Sequence, residues 1–175
     1  MARTTNASVR AMTADDSTAL AHPQFAAALR ELGLDVEIRR FPHETRTAQQ
    51  AAEAIGCAVS EIVKSLVFAA DGVPVLVLMD GASRVDVERV RWELCAGEVT
   101  RVDAKVVRET TGYAIGGVPP FGHRTRTRVL ADRGLLDHDL VWAAAGNPHT
   151  VFALDPKSLV SHAGATLVDV REPTA

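Results

Sequence analysis

Lys64 stands directly ahead of an apolar run, Ser65-Leu66-Val67-Phe68-Ala69-Ala70. An ammonium at the mouth of such a strand is costly to bury unless it reaches solvent, a partner or a ligand. It suits a phosphate or a polarised carbonyl, and it equally suits a strand-end lysine whose stem packs while its head stays wet. Tyr113 to His123 reads Y-A-I-G-G-V-P-P-F-G-H. Glycine opens backbone angles closed to other residues, and proline fixes φ and removes a donor. Such a run is either a rigid loop that brings backbone close to a ligand or a tight connection between two strands. Gly116 and Gly117 would present bare backbone N–H groups, the kind of donor that stabilises a developing oxyanion. Pro119 and Pro120 would hold that loop open and stiff.

A second special loop runs Gly146-Asn147-Pro148-His149-Thr150. His149 has the chemistry to exchange a proton near neutral pH, or else Asn147-Pro148 makes a plain β-turn and His149 is surface. Arg124, Arg126 and Arg128 alternate with Thr125 and Thr127. In an extended chain, period two sets all three on one face. That face suits a phosphate backbone, or it guards an edge strand against aggregation. His43, His123, His138 and His162 lack ligand spacing, so no metal site is expected. The carboxylate pairs Asp86/Glu88 and Asp137/Asp139 read as solvated charge. Cys57 and Cys95 form no C-x-x-C pair and read as reduced core thiols of a cytosolic protein.

The elements that must carry these residues follow from local signals. The helix expected over Leu20 to Gly33 has Phe25, Leu29 and Leu32 at helical spacing, Pro23 in its first turn and Gly33 as its stop. Val36 to Phe41 alternates as a strand. Thr47 caps a helix over Ala48 to Ile55 that Gly56 closes. Ser60-Glu61 makes a short helical turn. Ser65–Ala70 and Val73–Met79 form a hairpin across Asp71-Gly72. A helix is expected over Val85 to Ala96 and a strand over Glu98 to Val102. Asp103 caps a helix that ends near Gly112. Strands are expected at Arg126–Leu130, Leu140–Ala145, Val151–Leu154 and Thr166–Val170, with a helix from Asp155-Pro156 to Ala163. The fold class is therefore α/β (α+β), one domain over residues 20–172, with about seven strands in a mixed, mostly antiparallel sheet and about five helices around it.

The chain has 175 residues, 47% hydrophobic and 23% charged, with a formal net charge of −3. That balance excludes a protein that coats nucleic acid by charge alone, though not one that touches it at one end. Residues 1–19 lack an apolar core and read as a disordered leader rather than a secretory signal. The most apolar stretch, Leu66 to Met79, is broken by Asp71, Gly72 and Pro74, so no membrane span is expected. G-x-x-x-x-G-K-[ST], G-x-G-x-x-G and H-E-x-x-H are all absent from the sequence.

Four motifs fall in one order: Thr47-Ala48-Gln49-Gln50-Ala51-Ala52, Ile62-Val63-Lys64-Ser65-Leu66-Val67-Phe68, Gly81-Ala82-Ser83-Arg84-Val85-Asp86, and Thr111-Gly112-Tyr113-Ala114-Ile115-Gly116-Gly117-Val118-Pro119-Pro120-Phe121-Gly122. Together they resemble the YbaK/EbsC family, related to the editing domain of bacterial prolyl-tRNA synthetases, over residues 22–171. The resemblance implies a partly barrel-like sheet. It also implies a free-standing cytoplasmic hydrolase, with no cofactor, that cuts the ester between a wrongly attached small amino acid (Ala, Ser, Thr or Cys) and the end of a tRNA. Lys64 corresponds to the family's lysine. Gly116, Gly117, Pro119, Pro120 and Gly122, with Phe121 among them, correspond to its Gly-rich loop. Gly146, Asn147, Pro148 and His149 loosely match the later loop that lines the amino-acid pocket. Arg124, Arg126 and Arg128 would then meet tRNA, delivered by a synthetase or an elongation factor. Two departures bear on amino-acid choice. Many members have serine where this chain has Pro119, and alanine-specific relatives place histidine before the loop's proline, whereas here His149 follows Pro148. The alternative reading is a tRNA-end or nucleotide-binding module of the same fold without catalysis. A further alternative is hydrolysis of another small ester or amide in the same pocket.

Overall fold

Pro23 in the first turn and Gly33 just past the end bound the first helix, α1 (Pro23–Leu32), which buries Phe25, Ala26 and Leu29. The structure, a computed structural model, describes residues 19–174, so the leader expected over residues 1–19 lies outside them except for Ala19. β1 (Ile38–Arg40) is a short strand. The Thr47 hydroxyl accepts from the Gln50 amide and starts α2 (Ala48–Ile55), and Gly56 ends it, as expected from the sequence. A turn of 3-10 helix, Val59–Glu61, leads into β2 (Ile62–Ala70). β3 (Val73–Asp80) returns antiparallel across Asp71 and Gly72, both at positive φ, as a two-residue hairpin turn requires.

α3 (Val87–Glu93) is shorter than the helix expected over Val85 to Ala96. Val85 is taken by a bridge to Arg171, Asp86 becomes the N-cap, and Cys95 turns to φ +52 just beyond the end. Cys95 is exposed and Cys57 half-buried, so neither is the core thiol expected. β4 (Val99–Arg101) and α4 (Ala104–Thr111), capped by Asp103 and closed by Gly112, follow. β5 (Arg128–Asp132) starts later than expected because the chain first folds back onto α4. The Arg124 and Thr125 amides donate to the Thr111 and Thr110 carbonyls at 2.9 and 3.0 Å. The chain then forms β6 (Val141–Ala144), β7 (Thr150–Leu154), α5 (Pro156–Ala163) and β8 (Thr166–Val168).

Among the described residues, eight strands form one mixed sheet in the order β1-β7-β6-β2-β3-β5-β8, with β4 paired to β2. The β1–β7, β2–β3, β2–β4 and β6–β7 pairs are antiparallel, and β2–β6, β3–β5 and β5–β8 are parallel. The terminal strands of the order, β1 and β8, do not pair with each other, so the sheet is open rather than closed as a barrel. β3 is buried throughout from Val75 to Asp80. Leu76 and Leu78 join a core with Phe25, Leu29, Val107 and Phe152, while Val75, Val77 and Met79 join Phe68, Val90 and Leu130 on the other face. Cover on both faces explains why the strand reads as an unbroken apolar run.

One irregularity matters for function. β3 flanks β2 along nearly its whole length. On the other side, β6 pairs with Ile62 and Val63 and β4 pairs with Phe68 to Ala70. Among the described residues, 64–67 have no strand partner on that side, which leaves an opening in the sheet.

Candidate functional site

The opening beside residues 64–67 is one wall of a cavity of about 610 Å³, a size usual for small-molecule sites. Its other walls come from residues 45–48 ahead of and into α2, from Arg84 and Val85, from Ile115, Gly116 and Val118, and from Asn147 and Pro148. Both Gly/Pro loops singled out in the sequence therefore reach it.

Lys64 is the third residue of β2, not a residue ahead of it, and is half-buried in the cavity wall. Its ammonium donates to the Ser83 carbonyl. Burial pushes its pKa below the ordinary lysine value, the nearby Asp80 carboxylate opposes that, and Arg84 adds to it. Asp80 is itself held elsewhere. One oxygen accepts from the Ala82 amide at 2.9 Å and the other lies 2.6 Å from the Arg171 guanidinium, which also reaches Asp132 at 3.3 Å. This clasp fixes the 80–83 loop, and with it the carbonyl on which the Lys64 ammonium rests.

In the Tyr113–His123 loop, Ala114 to Gly117 forms a turn with Gly116 at φ +88. The Gly117 amide donates to the Ala114 carbonyl at 3.0 Å, so it is not the bare donor expected from the sequence. The Gly116 amide has no backbone partner among the described residues, and Gly116 lines the cavity. Gly117 is required for another reason. A β-carbon there would lie 2.8 Å from the Asn147 α-carbon, so the two loops pack backbone against backbone. Gly146 makes the reciprocal approach, since a β-carbon on it would lie 2.3 Å from that of His22 and 3.1 Å from the Tyr113 ring.

Pro119, Pro120 and Phe121 are buried beneath the loop and do not line the cavity. Phe121 packs on Phe25 and Phe152. The Pro119 carbonyl lies 2.7 Å from the His123 ring nitrogen, and the Gly122 carbonyl accepts from the Tyr113 hydroxyl and the Gln24 amide at 2.7 and 2.8 Å. These residues shape the loop from below. The Pro119-for-serine difference therefore falls just behind the cavity wall, next to Val118, and not on it. In the later loop the Asn147 side chain accepts from the His149 amide and the Thr150 hydroxyl at 2.9 and 3.0 Å. Asn147 and Pro148 line the cavity, while Gly146 and His149 do not.

Arg124, Arg126 and Arg128 are exposed, but only Arg128 is in a strand, Thr125 is exposed with them, and none lines the cavity. The period-two argument fails because residues 124 and 125 are bends tied to α4. The arginines that do line the cavity are Arg46, Arg84 and Arg101, joined by Glu172. Sequence reasoning missed them because each comes from a different element. Only Arg84 lay within a quoted motif.

A family model described as the aminoacyl-tRNA editing domain matches residues 42–161. The uncharacterized protein YwhH of Bacillus subtilis (strain 168) is 33% identical over 124 residues, 70% of this chain and 78% of YwhH. The proline–tRNA ligase of Elusimicrobium minutum (strain Pei191) is 32% identical over 100 residues, 57% of this chain and 17% of the ligase, so the match spans less than a fifth of that enzyme. A solved structure described as a candidate trans-editing enzyme for prolyl-tRNA synthetase superimposes with a TM-score of 0.81 at 38% identity, covering 87% of this chain and 99% of that one.

Proposed function

The chain belongs to the aminoacyl-tRNA editing domain family, and on that premise we propose that it is a hydrolase acting in trans, which removes a small, wrongly attached amino acid from a tRNA. The observation that carries this reading is the Lys64 ammonium set on the Ser83 carbonyl in the wall of a cavity that the two Gly/Pro loops complete. The trans mode follows the protein described as a candidate trans-editing enzyme, nearly all of which this chain matches.

An aminoacyl ester is already activated, so positioning and oxyanion stabilisation suffice for cleavage. Lys64 takes a phosphate or a hydroxyl of the terminal adenosine. Water attacks the carbonyl carbon, and the carbonyl oxygen takes the charge facing backbone N–H groups of the wall, that of Gly116 among them. The carbon–oxygen bond to the ribose then breaks, and the ribose oxygen leaves with a proton. Val67, Val102, Val107 and Val118 give the cavity an apolar side suited to a small side chain. A pocket distinguishes one methylene by only about ten- to two-hundredfold, which is why misloaded small residues need a second enzyme. Alanine, serine, threonine and cysteine are the substrates proposed.

Single-turnover deacylation of a panel of aminoacyl-tRNAs tests the proposal. The expected result is rapid ester loss from one or two small residues and slow loss from the rest. Binding of tRNA without turnover of any charged species would overturn it in favour of a tRNA-end binding module. Cleavage of a free ester but of no charged tRNA would overturn it in favour of another hydrolase.

A further inference from the structure

The opening in the sheet has main-chain chemistry of its own. The Ile62 carbonyl accepts from the Gly81 amide at 2.7 Å on the β3 side, and the Asp71 amide donates to Glu98 at 2.9 Å on the β4 side. The β2–β3 register runs unbroken from Val63↔Asp80 to Ala70↔Val73. Even-numbered residues of β2 therefore turn their main-chain groups to β3, and odd-numbered residues turn theirs away. Ser65 and Val67 face the opening, past the end of the β6 pairing and ahead of the β4 pairing. The Ser65 N–H and C=O and the Val67 N–H thus stand in the cavity wall without a strand partner among the described residues. The Ser65 hydroxyl, closed off from solvent, also has no hydrogen-bond partner among the described residues. Buried polar groups are nearly always paired, so an unpaired set on a cavity wall marks a place that a ligand completes.

We infer that this opening is the subsite for the main-chain end of the esterified amino acid, an inference that rests on the deacylase reading above. The substrate's ammonium donates to the Ser65 carbonyl, and its ester carbonyl accepts from the Ser65 N–H. One residue of an antiparallel hydrogen-bonded pair exchanges the same two bonds with the residue opposite. The aminoacyl group therefore docks as a one-residue strand. Residues opposite each other in such a pair share a face of the sheet. The substrate side chain then lies on the face of Ser65 and Val67, the side on which Val107 and Val118 pack. The main chain is read by backbone and the side chain by valines, so the free α-amine is a requirement whatever small residue is attached.

The test compares the aminoacyl-tRNA cleaved fastest with the same species acetylated on its α-amine, each rate divided by that ester's spontaneous hydrolysis. Acetylation should lower the enzymatic ratio by about tenfold or more, the size of one lost charge-assisted hydrogen bond. Titration with an amide-linked analogue, L-alanyl-aminoadenosine, followed by NMR, should shift the Ser65 amide more than the Leu66 amide, which faces β3. Equal enzymatic ratios for both esters would overturn the subsite while leaving the deacylase intact. A Ser65 amide that stays in place while other cavity amides shift would do the same. Turnover of no free-amine ester would overturn the deacylase reading, and the subsite with it.

Discussion

Lys64 is held charged in a place that disfavours charge. Burial lowers its pKa, so the unfolded chain binds that proton more tightly than the folded one over the alkaline range below 10.5. Replacing Lys64 with Met keeps the packed stem and removes the ammonium. Single-turnover deacylation should fall by about tenfold or more, the size of a charge-assisted contact. The melting temperature should be unchanged or higher, because the change removes a half-buried charge and its desolvation cost while the stem stays packed. Unchanged rates in folded protein would remove Lys64 from the mechanism. His123 gives a residue-scale effect of the other kind. Burial lowers its pKa below 6.5, although the Pro119 carbonyl partly opposes this, so the folded state holds it neutral. The unfolded chain binds more protons as pH falls through the ordinary histidine range, so the neutral ring's contribution is present above that range and lost below it. Thermal melts between pH 7.5 and pH 5 should show falling stability in wild type and a shallower fall in His123→Asn.

At the scale of elements, the site depends on two loops meeting through glycines. Gly117→Ala puts a methyl group 2.8 Å from the Asn147 α-carbon, where the neighbour is backbone and cannot swing aside. The variant should lose about 1–3 kcal/mol of stability, the usual range for overpacking. Deacylation should fall as well, since Asn147 and Pro148 line the cavity; denaturant melts and single-turnover rates check the two effects. Gly116→Ala, with no atom within 4 Å of the new methyl, separates strain at φ +88 from crowding. Much of this scale was legible in the sequence because its signals are local. Thr47 and Gly56 bound α2, Asp103 and Gly112 bound α4, and Asp71-Gly72 turns the central hairpin. The opening beside Ser65 was not legible. It arises because a parallel strand from residues 141–144 and an antiparallel one from residues 99–101 share one edge of β2 without meeting. No local pattern records such a junction. The Arg124–Arg128 alternation misled for the same reason, since two hydrogen bonds to the end of α4 override a period-two pattern.

At the scale of the whole molecule, the proposed reading meets a net charge of −3, so tRNA would be held by a local patch against a mildly repulsive field. Two patches compete for that role. Arg46, Arg84 and Arg101 stand around the cavity, from three elements, and all are exposed. Arg46 has a partner in Glu44 at 3.3 Å, but its side chain is 80% exposed, so that pair is weak and yields readily to a phosphate. Arg124, Arg126 and Arg128 do not line the cavity. On the proposed reading the acceptor end enters the cavity, so its last phosphates would pass the first group, and the second would meet tRNA farther from the ester. Each phosphate contact changes the slope of log affinity against log salt by roughly 0.7 to 0.9. Single Arg→Ala changes at 46, 84 or 101 should each reduce the slope by about one contact and slow single-turnover deacylation even at saturating tRNA, because they also set how the ester is seated. The triple change at 124, 126 and 128 should weaken binding and its salt dependence while leaving the saturated rate as in wild type. If the distal triple instead lowers the saturated rate and the cavity arginines do not, the tRNA approaches from the other side, and the cavity mouth assigned to the acceptor end is wrong.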